Sequence, residues 1–373
     1  MKAIKGLIIL LTVAVLSIVF CIPACAEKDE EYSVLDEAGA FEVFDSLDEE
    51  TKEMLGDLGI DEISSEDVFK VSPKKIITCL LNVISGKLSV VLKLFFNLAV
   101  ILIIQSVTKS LSNDDKNQIA DITFTLLLTT AAAVPAFKAV TLACSQIMTC
   151  SSFMLSFIPV YVLLLSSSGN ITSAINFNTL LFSASQFIVH ISRDALLPLS
   201  GVLMSVNIAS AINPVLPLNS VTSTLKKAVT VILTFISTLF IGFLSFKGTI
   251  ASSVDALTVR SIRTVSGSLI PFIGSSVADA YSSVLGSLKL INNCFGFLGI
   301  LTVCIIVLPV IIELLMYWLA FHFASMTAEM LNCESKKLLL NIADIISIIN
   351  IIVLFVSILF TVSIGIMLKT RVG

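Results

Sequence analysis

Long apolar runs separated by short polar stretches make up most of the chain after about residue 88. This pattern predicts eight candidate membrane-spanning segments, since a helix needs about 20 residues to cross the hydrocarbon layer. The segments are 88–107, 119–137, 146–166, 174–192, 195–213, 228–247, 296–321 and 343–368. The short alternating segments that are typical of outer-membrane barrels do not occur in the sequence. We therefore predict an all-α polytopic membrane protein.

The segments 174–192 and 195–213 form the ambiguous part of this pattern. Arg193 and Asp194 lie at their junction, and Pro198 follows. The stretch predicts two short helices, one broken helix or a re-entrant hairpin. A single crossing here agrees better with the excess of lysine and arginine expected in cytoplasmic loops. It gives seven spans with the C-terminus inside, and eight spans are the alternative.

Residues 250–293 carry a different pattern. Apolar residues recur at helical spacing from Val254 to Val265 and again from Val277 to Leu288, with Ser-rich polar faces. Pro271 and Gly274 separate the two groups. We predict amphipathic helices that lie in the membrane interface or re-enter the membrane, or that cover the helix bundle as a loop.

The N-terminal region predicts export. Two lysines precede the apolar run Leu7–Phe20, and Ala24 and Ala26 precede Glu27, so residues 1–26 resemble a cleaved signal peptide. An exported acidic segment follows over residues 27–75, and the helical transmembrane domain covers residues 76–373. Short amphipathic helices are predicted from about Val34 to Leu58. The acidic segment is either a solvated spacer or a contact surface for another exported protein.

Composition and charge agree with a membrane protein. Hydrophobic residues make up 56% of the chain and charged residues 13%, whereas a soluble domain is about a quarter charged. Residues 27–70 hold 17 of the 27 acids but only three lysines. Such an acidic stretch suits neither a nucleic-acid partner nor an anionic lipid surface. Membrane lipid is the expected partner of the apolar segments, and other proteins are the expected partners of the chain.

The sequence contains no recognised catalytic or nucleotide-binding motif. HExxH, GxSxG, a P-loop and a GxGxxG after a strand are all missing, and the eight cysteines form no CxxC. We expect neither enzymatic activity nor a cofactor.

Ionisable residues inside apolar segments are the best candidate site residues, because a charge in hydrocarbon costs about 2.5–3.5 kcal/mol. Glu313 lies inside 296–321, four residues after Pro309, which we expect to kink the helix. Glu313 could line a conduit, exchange protons or make a structural interhelical hydrogen bond. Lys93 and His322 are secondary candidates. Lys93 could instead extend to the membrane interface, and His322 could be hydrogen-bonded within the fold.

Residues in the 260–299 region resemble the signature of the stage III sporulation protein AE family. The order of signal peptide, acidic segment and polytopic body is also similar to that family, and the resemblance covers roughly residues 75–370. The residues that carry it in this region are Arg260, Arg263, Pro271, Gly274, Asp279, Gly286, Lys289, Gly296 and Gly299.

The resemblance implies a role in endospore formation. It implies a subunit of a channel or secretion-like complex, built from the stage III A proteins in the mother-cell membrane around the forespore. That complex would meet a forespore membrane protein across the space between two membranes. The alternative is a secondary transporter for a small solute, which predicts an internal repeat with matching broken helices. Two proline-interrupted spans, 195–213 and 296–321, occur without a convincing repeat around them.

Overall fold

The computed structural model of the protein describes residues 35–60 except Glu37, 73–111, 114–167, 185–212, 274–333 and 335–369, together with most of 223–242. The predicted signal peptide lies outside the described residues. So do residues 250–273, which include Arg260, Arg263 and Pro271.

Helices form all the regular structure in the described part of the chain. They are α1 (Ala40–Asp45), α2 (Glu49–Leu58), α3 (Pro73–Leu111), α4 (Asp114–Ser167), a π-helical turn (Ile191–Leu196), α5 (Leu197–Ile212), α6 (Gly274–Met330) and α7 (Lys336–Lys369). Five helices among the described residues are long and apolar enough to cross a membrane, and Lys227–Phe240 is a shorter apolar helix. The all-α fold class predicted from the sequence is confirmed.

The acidic segment forms the predicted short amphipathic helices, α1 and α2. The carboxylate of Asp48 caps α2 by accepting hydrogen bonds from the Thr51 backbone N–H (3.2 Å) and hydroxyl (2.7 Å). Gly59 ends the helix at a φ of 87°, where glycine is favoured. The apolar side chains of the pair are buried, among them Val43 and Leu55. The pair is therefore packed against the bundle.

Helix α4 differs from the prediction. The segments 119–137 and 146–166 were predicted as separate spans, but they lie on one continuous helix of 54 residues. Alanines spaced three or four residues apart are buried through its middle, which allows close packing of neighbouring helices. These are Ala132, Ala136, Ala139 and Ala143. At 1.5 Å per residue α4 is about 80 Å long, so it extends beyond one crossing of a layer of about 30 Å.

The ambiguous junction at Arg193 and Asp194 is an interruption within one helix. Ser185–Ser210 is a single candidate span, and the π-helical turn Ile191–Leu196 contains the junction. Asp194 lies 2.8 Å from Nδ1 of His190 and 3.6 Å from Nε of Arg193. Of the three alternatives, the described residues fit one broken helix. Residues 174–182 lie outside the described part.

Helices α6 and α7 pack against each other as a long antiparallel hairpin at the centre of the bundle. Residues 277–288 were predicted as a separate interfacial or re-entrant helix, but they belong to the first turns of the 57-residue α6. The apolar pattern does not end at residue 288, because buried residues such as Ile291 and Phe295 follow in the same helix. Pro309 also lies inside α6, which continues through it.

The C-terminal end of α7 lies at the same end of the bundle as the acidic helices. Phe44 of α1 meets Phe295 of α6 edge to face, with ring centroids 6.3 Å apart. The next residue of α6 is Gly296, which lies against Leu368 near the end of α7. A Cβ atom on Gly296 would stand 2.6 Å from Cδ2 of Leu368. Phe295 and Gly296 are neighbours in α6, so the two contacts place α1 and the end of α7 at one end of the bundle.

Candidate functional site

A cluster of charged side chains joins three of the candidate spanning helices. Oε1 of Glu313 in α6 lies 3.0 Å from Nζ of Lys138 in α4, and Oε2 lies 3.4 Å from Nζ of Lys87 in α3. The Tyr317 hydroxyl donates a hydrogen bond to Oε1 of Glu313 (2.9 Å). We call Lys87, Lys138, Glu313 and Tyr317 the charged cluster. Glu313 was the leading site residue predicted from the sequence, whereas its three partners were not predicted.

Helix periodicity places the members of the charged cluster. Glu313 and Tyr317 are four residues apart and so share one face of α6. Lys138 lies in the middle of α4, between the segments 119–137 and 146–166 that the sequence predicted as separate spans. Its ammonium group also donates to the Tyr317 hydroxyl (3.2 Å) and lies 5.9 Å from the centre of that ring. Lys138 is therefore held by a carboxylate, a phenol and an aromatic face together.

The charged cluster carries a net charge of about +1, because two ammonium groups share one carboxylate. The Glu313 side chain is 7% exposed, whereas the side chains of Lys87 and Lys138 are 34% and 51% exposed. The carboxylate is thus enclosed and the cations are at the edge of the bundle. Chemically, the arrangement can hold three helices together and leave a positive charge beside them. It contains no second carboxylate.

Two other candidates from the sequence lie apart from the charged cluster. Lys93 is exposed on α3, and six residues separate it from Lys87, so the two lysines lie about a third of a turn apart around the helix. His322 is half-buried and its ring stacks on Trp318, with centroids 5.3 Å apart. It follows Glu313 by nine residues, about half a turn around α6. The structure therefore does not bring the three together.

The residues that carry the family resemblance in the 260–299 region, and that the structure describes, lie along α6. Gly274 begins the helix, Asp279 and Lys289 lie within it, and Gly286 faces open space. Gly299 has a packing role, because a Cβ atom there would lie 2.5 Å from Cε2 of Phe157, whose ring stacks on Phe295 at 4.9 Å.

Amide side chains make further contacts between helices. Gln146 donates to the carbonyl of Ile306, one turn before Pro309, where a proline disturbs main-chain hydrogen bonding. Asn292 donates to the carbonyl of Leu164 (3.0 Å) and Asn207 to that of Leu338 (3.3 Å). Such bonds stabilise membrane bundles modestly, by about 0.6 kcal/mol each.

A second polar surface covers the outer side of α1 and α2. The acids of the pair are exposed while its apolar residues face the bundle. The exposed acids are Asp36, Glu42, Asp45, Asp48, Glu49, Glu50, Glu53 and Asp57. We call this set the acidic surface. Within the described residues, no group of three His, Cys, Asp or Glu side chains could hold a metal ion.

Comparison with known proteins agrees with the resemblance seen in the sequence. A family model described as stage III sporulation protein AE matches residues 58–370. The chain belongs to the stage III sporulation protein AE family. Stage III sporulation protein AE of Bacillus subtilis (strain 168) is 28% identical over 174 residues, which is 46% of this chain and 44% of that protein. The match thus spans less than half of the relative's length. No solved structure matches the chain.

Proposed function

We propose that the protein is a membrane subunit of a sporulation complex that bridges mother cell and forespore, acting as a platform or conduit without enzymatic activity. Family membership supports the sporulation role, and five candidate spanning helices support the membrane role. The expected partners are the other stage III A proteins and, indirectly, a forespore membrane protein. The expected location is the mother-cell membrane around the forespore.

The observation that carries this proposal is the docking of the acidic helices on the bundle. A solvated spacer would have no reason to bury its apolar side chains, yet Leu35, Val43, Leu55 and Leu58 are each at most 3% exposed. The Lys75 ammonium also donates to the carbonyl of Leu58 (3.1 Å), which ties the end of α2 to α3. The acidic surface is thereby held in a fixed orientation at one end of the bundle. A fixed charged surface suits recognition of a protein partner.

Capture of partners during sporulation tests the proposal. An affinity-tagged chain would be purified from detergent-solubilised membranes of sporulating cells, and the co-purifying proteins identified. We expect the other stage III A proteins to be captured. Recovery of the chain alone would overturn the proposal.

A second variant tests whether the acidic surface makes the contact. Four exposed acids would be neutralised together, as Glu42→Gln, Asp45→Asn, Glu49→Gln and Glu53→Gln, while the Asp48 cap is kept. We expect reduced capture. The control is Glu329→Gln, which changes one exposed acid, the ion-pair partner of Lys336, near the end of α6 that lies away from the acidic surface. Equal capture by both variants would place the contacts in the helical body.

A secondary transporter for a small solute is the second candidate function. The charged cluster favours it, because ionised side chains within spanning helices often mark solute or proton routes. Solute flux by the purified chain in liposomes, with Glu313→Gln as the test variant, would distinguish it. Flux that needs no stage III A partner would support the transporter.

A further inference from the structure

Helix α7 carries three buried polar side chains on one face. They are Asn350, Ser357 and Thr361, which recur at helical spacing and are each at most 3% exposed. Both polar atoms of the Asn350 amide and the hydroxyl of Ser357 have no hydrogen-bond partner in the described part of the chain. The Thr361 hydroxyl has only the thiol of Cys304 beside it, and a thiol is a weak partner.

The two hydroxyl groups do not use the acceptor that lies nearest to them. A serine or threonine inside a helix can donate to the carbonyl four residues earlier. Ser363 does so in the same helix, where it donates to Leu359 (2.7 Å). Ser357 and Thr361 make no such bond. Their hydroxyls therefore need a partner outside the backbone of α7.

This polar face of α7 lies against α6. Leu368 is five full turns after Asn350, so the two share one face, and Leu368 lies against Gly296 of α6. Because α6 and α7 are antiparallel, Asn350 is level with Leu314, which is five turns after Gly296. Leu314 is itself buried and adjoins Glu313. Asn350 therefore lies at the depth of the charged cluster.

The amide of Asn350 needs a partner that both donates and accepts hydrogen bonds. Its Oδ1 atom is an acceptor and its Nδ2 atom is a donor. A cation would satisfy only the oxygen, and an anion would satisfy only the nitrogen. Water satisfies both, and a buried water typically makes about three hydrogen bonds to polar groups that have no other partner.

We propose that the interface between α6 and α7 holds two buried water sites, one at Asn350 and one between Ser357 and Thr361. Ser357 and Thr361 are one turn apart, about 6 Å along the helix, so one water molecule can bridge their hydroxyls. Asn350 is about 10 Å further along and forms a separate site. That site places water at the depth of Glu313, where a membrane interior otherwise offers hydrocarbon. The inference goes beyond the proposed function and does not depend on it.

X-ray radiolytic footprinting tests the site at Ser357 and Thr361. A short X-ray pulse converts bound water into hydroxyl radicals, which oxidise neighbouring sulfur atoms. The reporter is the thiol of Cys304, and the control is Cys333, a buried thiol just beyond the other end of α6. The full chain is purified in detergent and exposed in water that carries a heavy oxygen isotope. Mass spectrometry then measures the labelled oxygen at each cysteine.

Variants of α7 separate bound water from bulk solvent as the source of the radicals. Ser357→Ala combined with Thr361→Val removes both hydroxyls at nearly constant side-chain volume. We expect oxidation of Cys304 to fall severalfold in this double variant and oxidation of Cys333 to stay unchanged. The matched variant is Ser363→Ala, which removes a buried hydroxyl that is already paired within α7 and should leave both thiols unchanged. Ser357→Ala alone serves if the double variant does not fold.

The melting temperature of Asn350→Leu tests the second site. Leucine has the branched shape of asparagine without its polar atoms. If water pairs the amide, the substitution leaves that water without partners, so we expect a lower melting temperature. Removal of a dry, unpaired amide would raise the melting temperature instead. The fluorescence of Trp318 follows the unfolding in detergent.

Two results would overturn the proposal. Equal oxidation of Cys304 in the unchanged protein and in the double variant would mean that no water is bound at Ser357 and Thr361. A raised melting temperature for Asn350→Leu would mean that the amide is dry. Both measurements use the purified chain alone, so a failure here is distinct from a failure of partner capture.

Discussion

Lys138 and Glu313 are 175 positions apart in the chain, and their side chains meet at 3.0 Å between α4 and α6. This contact explains why α4 continues through a lysine in an otherwise apolar stretch. The ammonium group is neutralised by a carboxylate from the neighbouring helix, so no loop is needed to bring it to water. Lys87 reaches the other oxygen of the same carboxylate. One acid therefore organises three helices.

Replacing Glu313 by glutamine should destabilise the bundle more than replacing Lys138. Glu313→Gln leaves two ammonium groups without a counter-charge, and because both are at least a third exposed we expect a loss of about 2 kcal/mol in the free energy of unfolding. Lys138→Gln leaves Lys87 to neutralise Glu313 and should cost about 1 kcal/mol, since Lys138 is partly exposed. Thermal unfolding in detergent, followed by the fluorescence of Trp318, the single tryptophan, measures both. A larger effect of Lys138→Gln would contradict this account.

Gly299 should tolerate no side chain. Gly299→Ala places a methyl group against the Phe157 ring, and overpacking of this kind costs about 1–3 kcal/mol. Gly286→Ala, in open space on the same helix, should leave stability unchanged or raise it by up to about 1 kcal/mol. The same fluorescence measurement compares the two variants. Equal melting temperatures would show that Phe157 moves aside freely.

The acidic helices should detach when their apolar contacts are broken. Met54→Asp puts a charge into the buried face of α2, so we expect the segment to become sensitive to protease added outside spheroplasts. Glu53→Gln changes the exposed residue next to Met54. It should leave the segment as resistant to the protease as it is in the unchanged protein. Cleavage followed with an antibody to residues 35–60 reports the difference. Equal protection of both variants would mean that docking does not depend on the buried face.

The C-terminus should lie on the same side of the membrane as the acidic helices. Alkaline phosphatase fused after Gly373 is active only when exported, whereas a green fluorescent protein fused there fluoresces only inside. We expect activity from the phosphatase fusion and no fluorescence from the other, with a fusion at Leu111 as the opposite control. The reverse pattern would favour seven crossings.

The sequence predicted some of these features because they depend on local pattern alone. Helical spacing predicted α1 and α2, and the rarity of acids in apolar runs singled out Glu313. The hydropathy pattern could not show that α4 is continuous. Lys138 lowers the mean hydropathy between the two apolar segments, and a polar loop at that place would lower it in the same way. It also could not rank Lys87 above Lys93, since both lie on the same apolar helix. Their difference depends on which face of α3 meets α6, and that is decided by tertiary packing.

Site-specific photo-crosslinking during sporulation tests the central claim most directly. A photoreactive phenylalanine would replace Glu53 on the acidic surface, and Glu329 near the other end of α6 in a matched control. The account predicts covalent adducts of position 53 with other stage III A proteins in sporulating cells, and none from position 329 with the same proteins. Position 53 without adducts, in a protein that still supports heat-resistant spores, would contradict the role of the acidic surface.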